Sequence, residues 1–193
     1  MCIRDRDNID WKDAPMPDSS PGTKLSTLFV NDTPERSRLM LVEFPKGFSR
    51  EQTGHYPAYE ELFILRGSLN ISGKTFNKND YVLFPPNFTR SETSCPDGCF
   101  AIVWWSHKPS WNRGLSSTVN NNLLSRKNNN INEQFIELLK NEEFHSIYLD
   151  RDVPTIDLDG EFIGINIDNY NFVKGDNFYD LDKGRYFLKI NNF

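Results

Sequence analysis

The stretch "GHYPAYEELFILRG", residues 54–67, sets one imidazole, His55, and two adjacent carboxylates, Glu60 and Glu61, at the start of an apolar run that closes on Gly67. Imidazole and carboxylate together are donors for a divalent metal. The same groups could pass a proton, since an unperturbed imidazole titrates near pH ~6.5, or orient a small ligand by hydrogen bonding. A third reading is an ordinary strand start with a satisfied histidine. Tyr56 and Tyr59 sit beside the histidine and offer hydroxyls or a ring wall to a ligand, or amphipathic packing at a rim.

Which of these side chains can act together depends on the element that carries them. Neighbours on a strand point to opposite faces, so Glu60, Leu62 and Ile64 share one face and Glu61, Phe63 and Leu65 the other. With the first set inward, Glu60 is the better site candidate. The outward apolar residues then need cover from another β unit or a second chain, which motivates the expectation of a homodimer. Of adjacent Trp104 and Trp105, only one can face the interior.

From Leu25 to Trp105 the chain reads as short apolar and aromatic segments, "LSTLFV", "SRLMLVEF", "ELFILRGSLNIS", "KTF", "YVLFPP" and "CFAIVWWS", separated by the turns "NDTPE", "ISGK", "NKND" and "CPDG". Runs of this length bounded by Gly, Pro, Asn and Asp are strand signals. With no useful helical period among them, antiparallel strands in a sandwich or barrel are the simplest assembly. Residues 116–131, "SSTVNNNLLSRKNNNI", are polar and asparagine-rich and read as a linker. Ile131, Phe135, Leu138 and Leu139 follow at i, i+4, i+7 and i+8, which predicts one short amphipathic helix within residues 132–193. Beyond it, "VPTIDLDGEFIGINI…KGRYFLKINNF" echoes "PMPDSSPGTKLSTLF…ERSRLMLVEF" in its order of proline, acidic turn, glycine and two strands. The echo reads either as chance or as the start of a second, truncated β repeat.

Bulk properties close off several function classes. The 193 residues suffice for one generous domain or one domain and part of another. A formal charge of −5 gives no global attraction for nucleic acid or anionic membrane. No run approaches the roughly 18 apolar residues of a membrane span, and no secretion signal is recognisable, so the expectation is a cytoplasmic protein. Three cysteines are too few for a disulfide framework, and Cys95 and Cys99 read as reduced thiols flanking a turn. The opening "MCIRDR" resembles translated adapter sequence at the start of metagenome-derived reading frames, so residues 1–6 are set aside from the functional reading. No phosphate-binding glycine loop, Gly-x-Ser-x-Gly elbow or His-Glu-x-x-His helix occurs.

Two stretches carry a family resemblance. "GFSREQTGHYPAYEELFILRG" resembles the first motif of the cupin superfamily, with Gly47, His55, Glu60 and Gly67 in matching places and Thr53 where another histidine would stand. "NDYVLFPPNFTR" is similar to the second motif, with Arg90 where its histidine would stand. The match covers Leu25 to about His107 and looks most like ChrR-related and two-repeat cupins. It implies an all-β fold, a cupin-type double-stranded β-helix or jelly-roll barrel over residues 7–115, with the helix and extra strands following. It also implies four metal-ligand positions, of which only His55 and Glu60 retain a good donor. A guanidinium offers no lone pair and repels a cation.

If the strands pair as in a cupin, Glu60 and Arg90 point into one barrel mouth, where a bidentate ion pair would take the place of the metal. Arg90 is then either satisfied by Glu60 or shared with an anionic ligand. The expectation is a protein that binds a small polar or anionic molecule through His55, Glu60, Arg90, Thr53, Tyr56 and Tyr59, with no cofactor. One alternative is a metal-dependent enzyme of dioxygenase, isomerase or hydrolase type, with Zn, Fe, Mn or Ni on His55 and Glu60. A second is a ChrR-like regulatory or interaction module. His107 could replace a lost ligand, and His145 reads as a surface residue.

Overall fold

A computed structural model describes residues 9–118, 123–127, 135–140, 145–150 and 160–190. Met1 to Arg6, and Ile131 at the start of the expected helix, lie outside the described residues. The chain divides into two compact units, Asp10–Asn129 and a second made of Met1–Ile9 with Asn130–Phe193.

The strands of the Asp10–Asn129 unit are β1 (Lys12–Asp13), β2 (Lys24–Val30), β3 (Arg38–Phe44), β4 (Phe48–Arg50), β5 (Gly54–His55), β6 (Glu60–Ile71), β7 (Lys74–Asn77), β8 (Tyr81–Phe84), β9 (Thr93–Cys95), β10 (Cys99–Trp105), β11 (Asn112–Arg113) and β12 (Leu124–Arg126). One sheet runs in the order β1-β2-β3-β10-β6-β8-β12, a second face is made by β7, β9 and β4, and β5 and β11 form a small ribbon. All the pairings are antiparallel, as the turn-rich sequence requires. Leu124–Arg126, inside the stretch read as a linker, pairs with β8.

Strand β6 joins the two faces. Its first half pairs with β8 and β10, and its second half with β7 and β9. The apolar run closes on Gly67, and β6 continues through it to Ile71, along the segment "ELFILRGSLNIS". A bulge skips Leu65 between the pairs Ile64–Ala101 and Arg66–Phe100. The extra residue reverses the alternation, so that Glu60, Leu62 and Ile64 face inward before it, and Leu69 and Ile71 after it. Gly67 makes the bend possible: its φ is +75°, and a Cβ there would lie 2.0 Å from the Gly98 carbonyl oxygen. The "ISGK" turn closes β6 onto β7 through Ser72 and Gly73, both at positive φ, which is the turn twist that suits a two-residue hairpin.

The inward residues form one core, with Met40, Val42 and Phe44 of β3, Leu62 and Ile64 of β6, Val82 and Phe84 of β8, and Ala101, Val103 and Trp105 of β10. Their spacing of two along each strand is the alternation that apolar burial on one face demands. Trp105 is the inward member of its pair. Cys95 and Cys99 are buried free thiols on either side of the "PDG" turn. The Cys95 Sγ donates to the Ser68 carbonyl at 3.0 Å.

The second unit is a sheet of β13 (Phe135–Lys140), β14 (His145–Asp150), β15 (Phe162–Asn166), β16 (Phe172–Gly175) and β17 (Arg185–Ile190), in the order β13-β14-β17-β15-β16. Here the sequence reading needs correction, because Phe135–Lys140, the described part of the expected helix, forms β13. A register shift between Glu137 and Leu139 places both Leu138 and Leu139 in buried positions. Two adjacent buried leucines mimic the i+7, i+8 step of a helix, and a six-residue window does not separate the two. The two echoed sequence pieces also share a pairing, since β2 lies antiparallel to β3 and β15 antiparallel to β17. Among the described residues no helix is long and apolar enough to cross a membrane.

Candidate functional site

The barrel of the first unit holds a cavity of about 270 Å³. Most of its wall is apolar, with Leu25, Met40, Val42, Leu62, Leu69, Ile71 and Val103 among the lining residues. Its charged side chains are Arg50, Arg90 and Glu60, so two guanidinium groups face one carboxylate. Tyr56, Thr93, Trp105 and Trp111 complete the polar and aromatic part.

Glu60 opens β6 opposite Phe84 and Trp105. Arg90 follows the "PPNFT" turn, where Asn87 has a φ of +64° and its N–H donates to the Tyr56 carbonyl at 2.7 Å. The backbone of Arg90 is clamped to Gly54 by reciprocal hydrogen bonds of 3.0 and 2.8 Å. So held, the Arg90 Nη2 donates to the Glu60 Oε2, and both residues are buried. The guanidinium carbon also lies 4.4 Å from the Phe84 ring centre and 5.1 Å from that of Tyr56. Rings and carboxylate together replace the water this cation has lost.

Arg50 is the site residue that sequence reading missed. It is 3% exposed and ends β4, directly opposite Thr93 of β9. The Arg50 Nη1 donates to the Tyr56 hydroxyl at 3.0 Å, and its guanidinium lies over the Trp111 ring at 3.9 Å. Trp111 is in turn fixed by Asp18, whose Oδ2 accepts from the indole Nε1 at 3.1 Å and from the Arg113 Nε at 2.9 Å. The hydrogen bond from Arg113 holds the Asp18 carboxyl below its ordinary value against the opposing effect of burial, with Trp111 and the Arg50 charge acting the same way as Arg113. Gly54 gives the indole room, since a Cβ there would lie 2.2 Å from the Trp111 ring. The alternation of "FSR" carries a signal for Arg50, which shares a face with the buried Phe48. Three residues are too few for that signal to stand out.

Of the sequence candidates, Glu60, Arg90 and Tyr56 meet at this cavity, whereas His55, Thr53 and Tyr59 do not line it. Tyr56 points in, and extended backbone sends its neighbour His55 the other way. The His55 Nδ1 lies 3.3 Å from the Gly114 carbonyl, which only accepts, so this nitrogen carries the proton. Thr53 Oγ1 is 3.5 Å from the Ser91 carbonyl, and the Tyr59 N–H donates to Ser106 Oγ at 3.0 Å. Glu61 faces away and accepts from the Tyr81 hydroxyl at 2.9 Å. His107 is exposed beside Ser106. His145, expected at the surface, has a side chain only 14% exposed beside Glu137, and burial lowers its pKa.

The metal that the sequence resemblance implies does not fit these residues. Glu60 is engaged by Arg90, whose permanent charge repels a cation, and His55 is turned out of the cavity. Among the described residues no three His, Cys, Asp or Glu side chains are grouped to hold an ion.

No family profile matches the chain, and no curated protein matches it. Solved structures do. A candidate dioxygenase from Nostoc punctiforme is similar with a TM-score of 0.62 and 13% identity, over 94% of this chain and 78% of that one. The polyketide cyclase RemF from Streptomyces resistomycificus gives a TM-score of 0.48 at 16% identity, over 61% of this chain and 88% of its own. ChrR, the anti-sigma protein solved with SigE of Rhodobacter sphaeroides, gives 0.42 at 14% identity, over 52% of this chain and 51% of that one. The first likeness establishes the fold alone, and the other two carry no inference.

Proposed function

Because residues 10–129 form a jelly-roll barrel of the cupin type, we propose that this barrel binds a small anionic molecule without a metal. The observation that carries the reading is the charge on the wall of the cavity, where buried Arg50 and Arg90 exceed the single carboxylate of Glu60 by one positive charge. Buried charge without a partner is costly, and an anion entering the cavity removes that cost. By the sequence resemblance Glu60 and Arg90 hold two of the four metal-ligand positions, and their ion pair leaves Arg50 to meet the ligand. Tyr56 contacts both guanidinium groups.

Thermal melts with a panel of small acids and their neutral analogues test this. Members of the panel are expected to raise the melting temperature of the wild type. The shifts should be smaller in Val103→Phe, which narrows the cavity at a cost of about 1–3 kcal/mol in stability. No shift with any acid, or equal shifts in the narrowed variant, would contradict the proposal.

A further inference from the structure

Charge alone does not describe what this cavity lacks. Among the described residues Arg50 donates one hydrogen bond, from Nη1 to Tyr56, and makes no ion pair. Its Nε, the Nε of Arg90 and the Thr93 Oγ1 are shut from solvent with no hydrogen-bond partner. All three can donate, and a guanidinium nitrogen can do nothing else. What is missing is an acceptor-only group, and a carboxylate is one. The excess of one positive charge matches one negative charge, so a singly charged acid satisfies the wall and a doubly charged phosphate ester overshoots it.

The rest of the wall fixes the rest of the ligand. Met40, Leu62, Leu69, Ile71 and Val103 face the cavity with no hydrogen bond to offer, so the body of the ligand must be apolar. At ~30 Å³ for each water-sized volume, 270 Å³ holds about nine, which suits one molecule of roughly that many non-hydrogen atoms. Trp111 under the Arg50 guanidinium sets the plane in which it can grip a carboxylate, and Thr93 stands across the strand pair from it.

We infer that the ligand is a monocarboxylate with a short apolar body, its carboxylate on Arg50 and Thr93 and its hydrocarbon against Met40, Leu62 and Val103. This rests on the proposed binding function of the barrel and adds the chemical class. Glu60 stays on Arg90 throughout, and its carboxylate repels a second acidic group.

The test is a set of titrations with hexanoate, 1-hexanol and acetate, read by the fluorescence of Trp105 and Trp111 on the cavity wall. Hexanoate is expected to bind at least about tenfold more tightly than either of the others, since one lacks the charge-assisted hydrogen bonds and the other the hydrocarbon. From butanoate to hexanoate the affinity should rise about fourfold per methylene. Arg50→Gln should remove the preference for hexanoate over 1-hexanol. Should that variant fail to fold, Arg50→Lys keeps the charge without the planar fork, and it is expected to weaken hexanoate selectively. Equal binding of hexanoate and 1-hexanol, or undiminished hexanoate binding in both foldable variants, overturns the inference while the barrel still binds. If no probe binds, or if all bind equally well to Val103→Phe, the binding function falls with it.

Discussion

The contact between Arg90 and Glu60 is the residue-scale feature on which the site turns. Both side chains are more than nine-tenths buried, so removing one leaves the other charged and unpaired. Glu60→Gln is expected to destabilise the protein by about 3–5 kcal/mol in denaturant unfolding, whereas replacing both residues with methionine should cost far less. A small effect of the single substitution would mean that water reaches the pair. His55 is the opposite case, because its ring lies outside the cavity on a backbone carbonyl. His55→Ala should therefore lower stability by about 1 kcal/mol and leave binding of a cavity ligand intact. The sequence motif around these residues showed which side chains share a strand face and left open which short strand faces the cavity. Glu60 was legible because it begins a long alternating strand. Arg50 was hidden in a three-residue strand, and its polar character argued against burial.

At the scale of elements, β6 and the contact of Asp18 with Trp111 position the wall. β6 must bend and change partners at Gly67, and no side chain fits against the Gly98 carbonyl. Gly67→Ala should cost about 1–3 kcal/mol for the positive φ alone, with the close contact adding to it, as measured by denaturant unfolding. Asp18 acts through Trp111, holding the indole on which Arg50 rests. Asp18→Asn should weaken hexanoate binding severalfold and lower the melting temperature modestly at neutral pH. The Asp18 carboxyl is held below its ordinary value, so whatever it adds to stability is present above the unfolded value of ~3.9 and lost as pH falls through the lower folded value. Melting curves of wild type and Asp18→Asn should therefore converge toward acid pH. The strands of the barrel were legible from their alternation and turn residues. The parity change in β6 was not, because a bulge is set by pairing with β10 and leaves no mark in local composition.

On the scale of the whole molecule, two β units share one chain, and the chemistry described above belongs to the first. β13 shows the limit of reading pattern without partners, since Leu138 and Leu139 satisfy a helical spacing and are buried in a sheet. The turn-rich first unit was read more fully because glycine and asparagine at positive φ mark its turns in the sequence itself. The proposed binding depends on Arg50, beside the Glu60–Arg90 ion pair, making this barrel cavity a carboxylate site. Diffraction from crystals grown with 6-bromohexanoate, collected for anomalous signal, tests it most directly. A bromine peak is expected inside the barrel against Met40, Leu62 and Val103, with the carboxylate on Arg50 and Thr93. A bromine peak outside the barrel, or a metal peak held by Glu60 with Arg90 displaced, would contradict it.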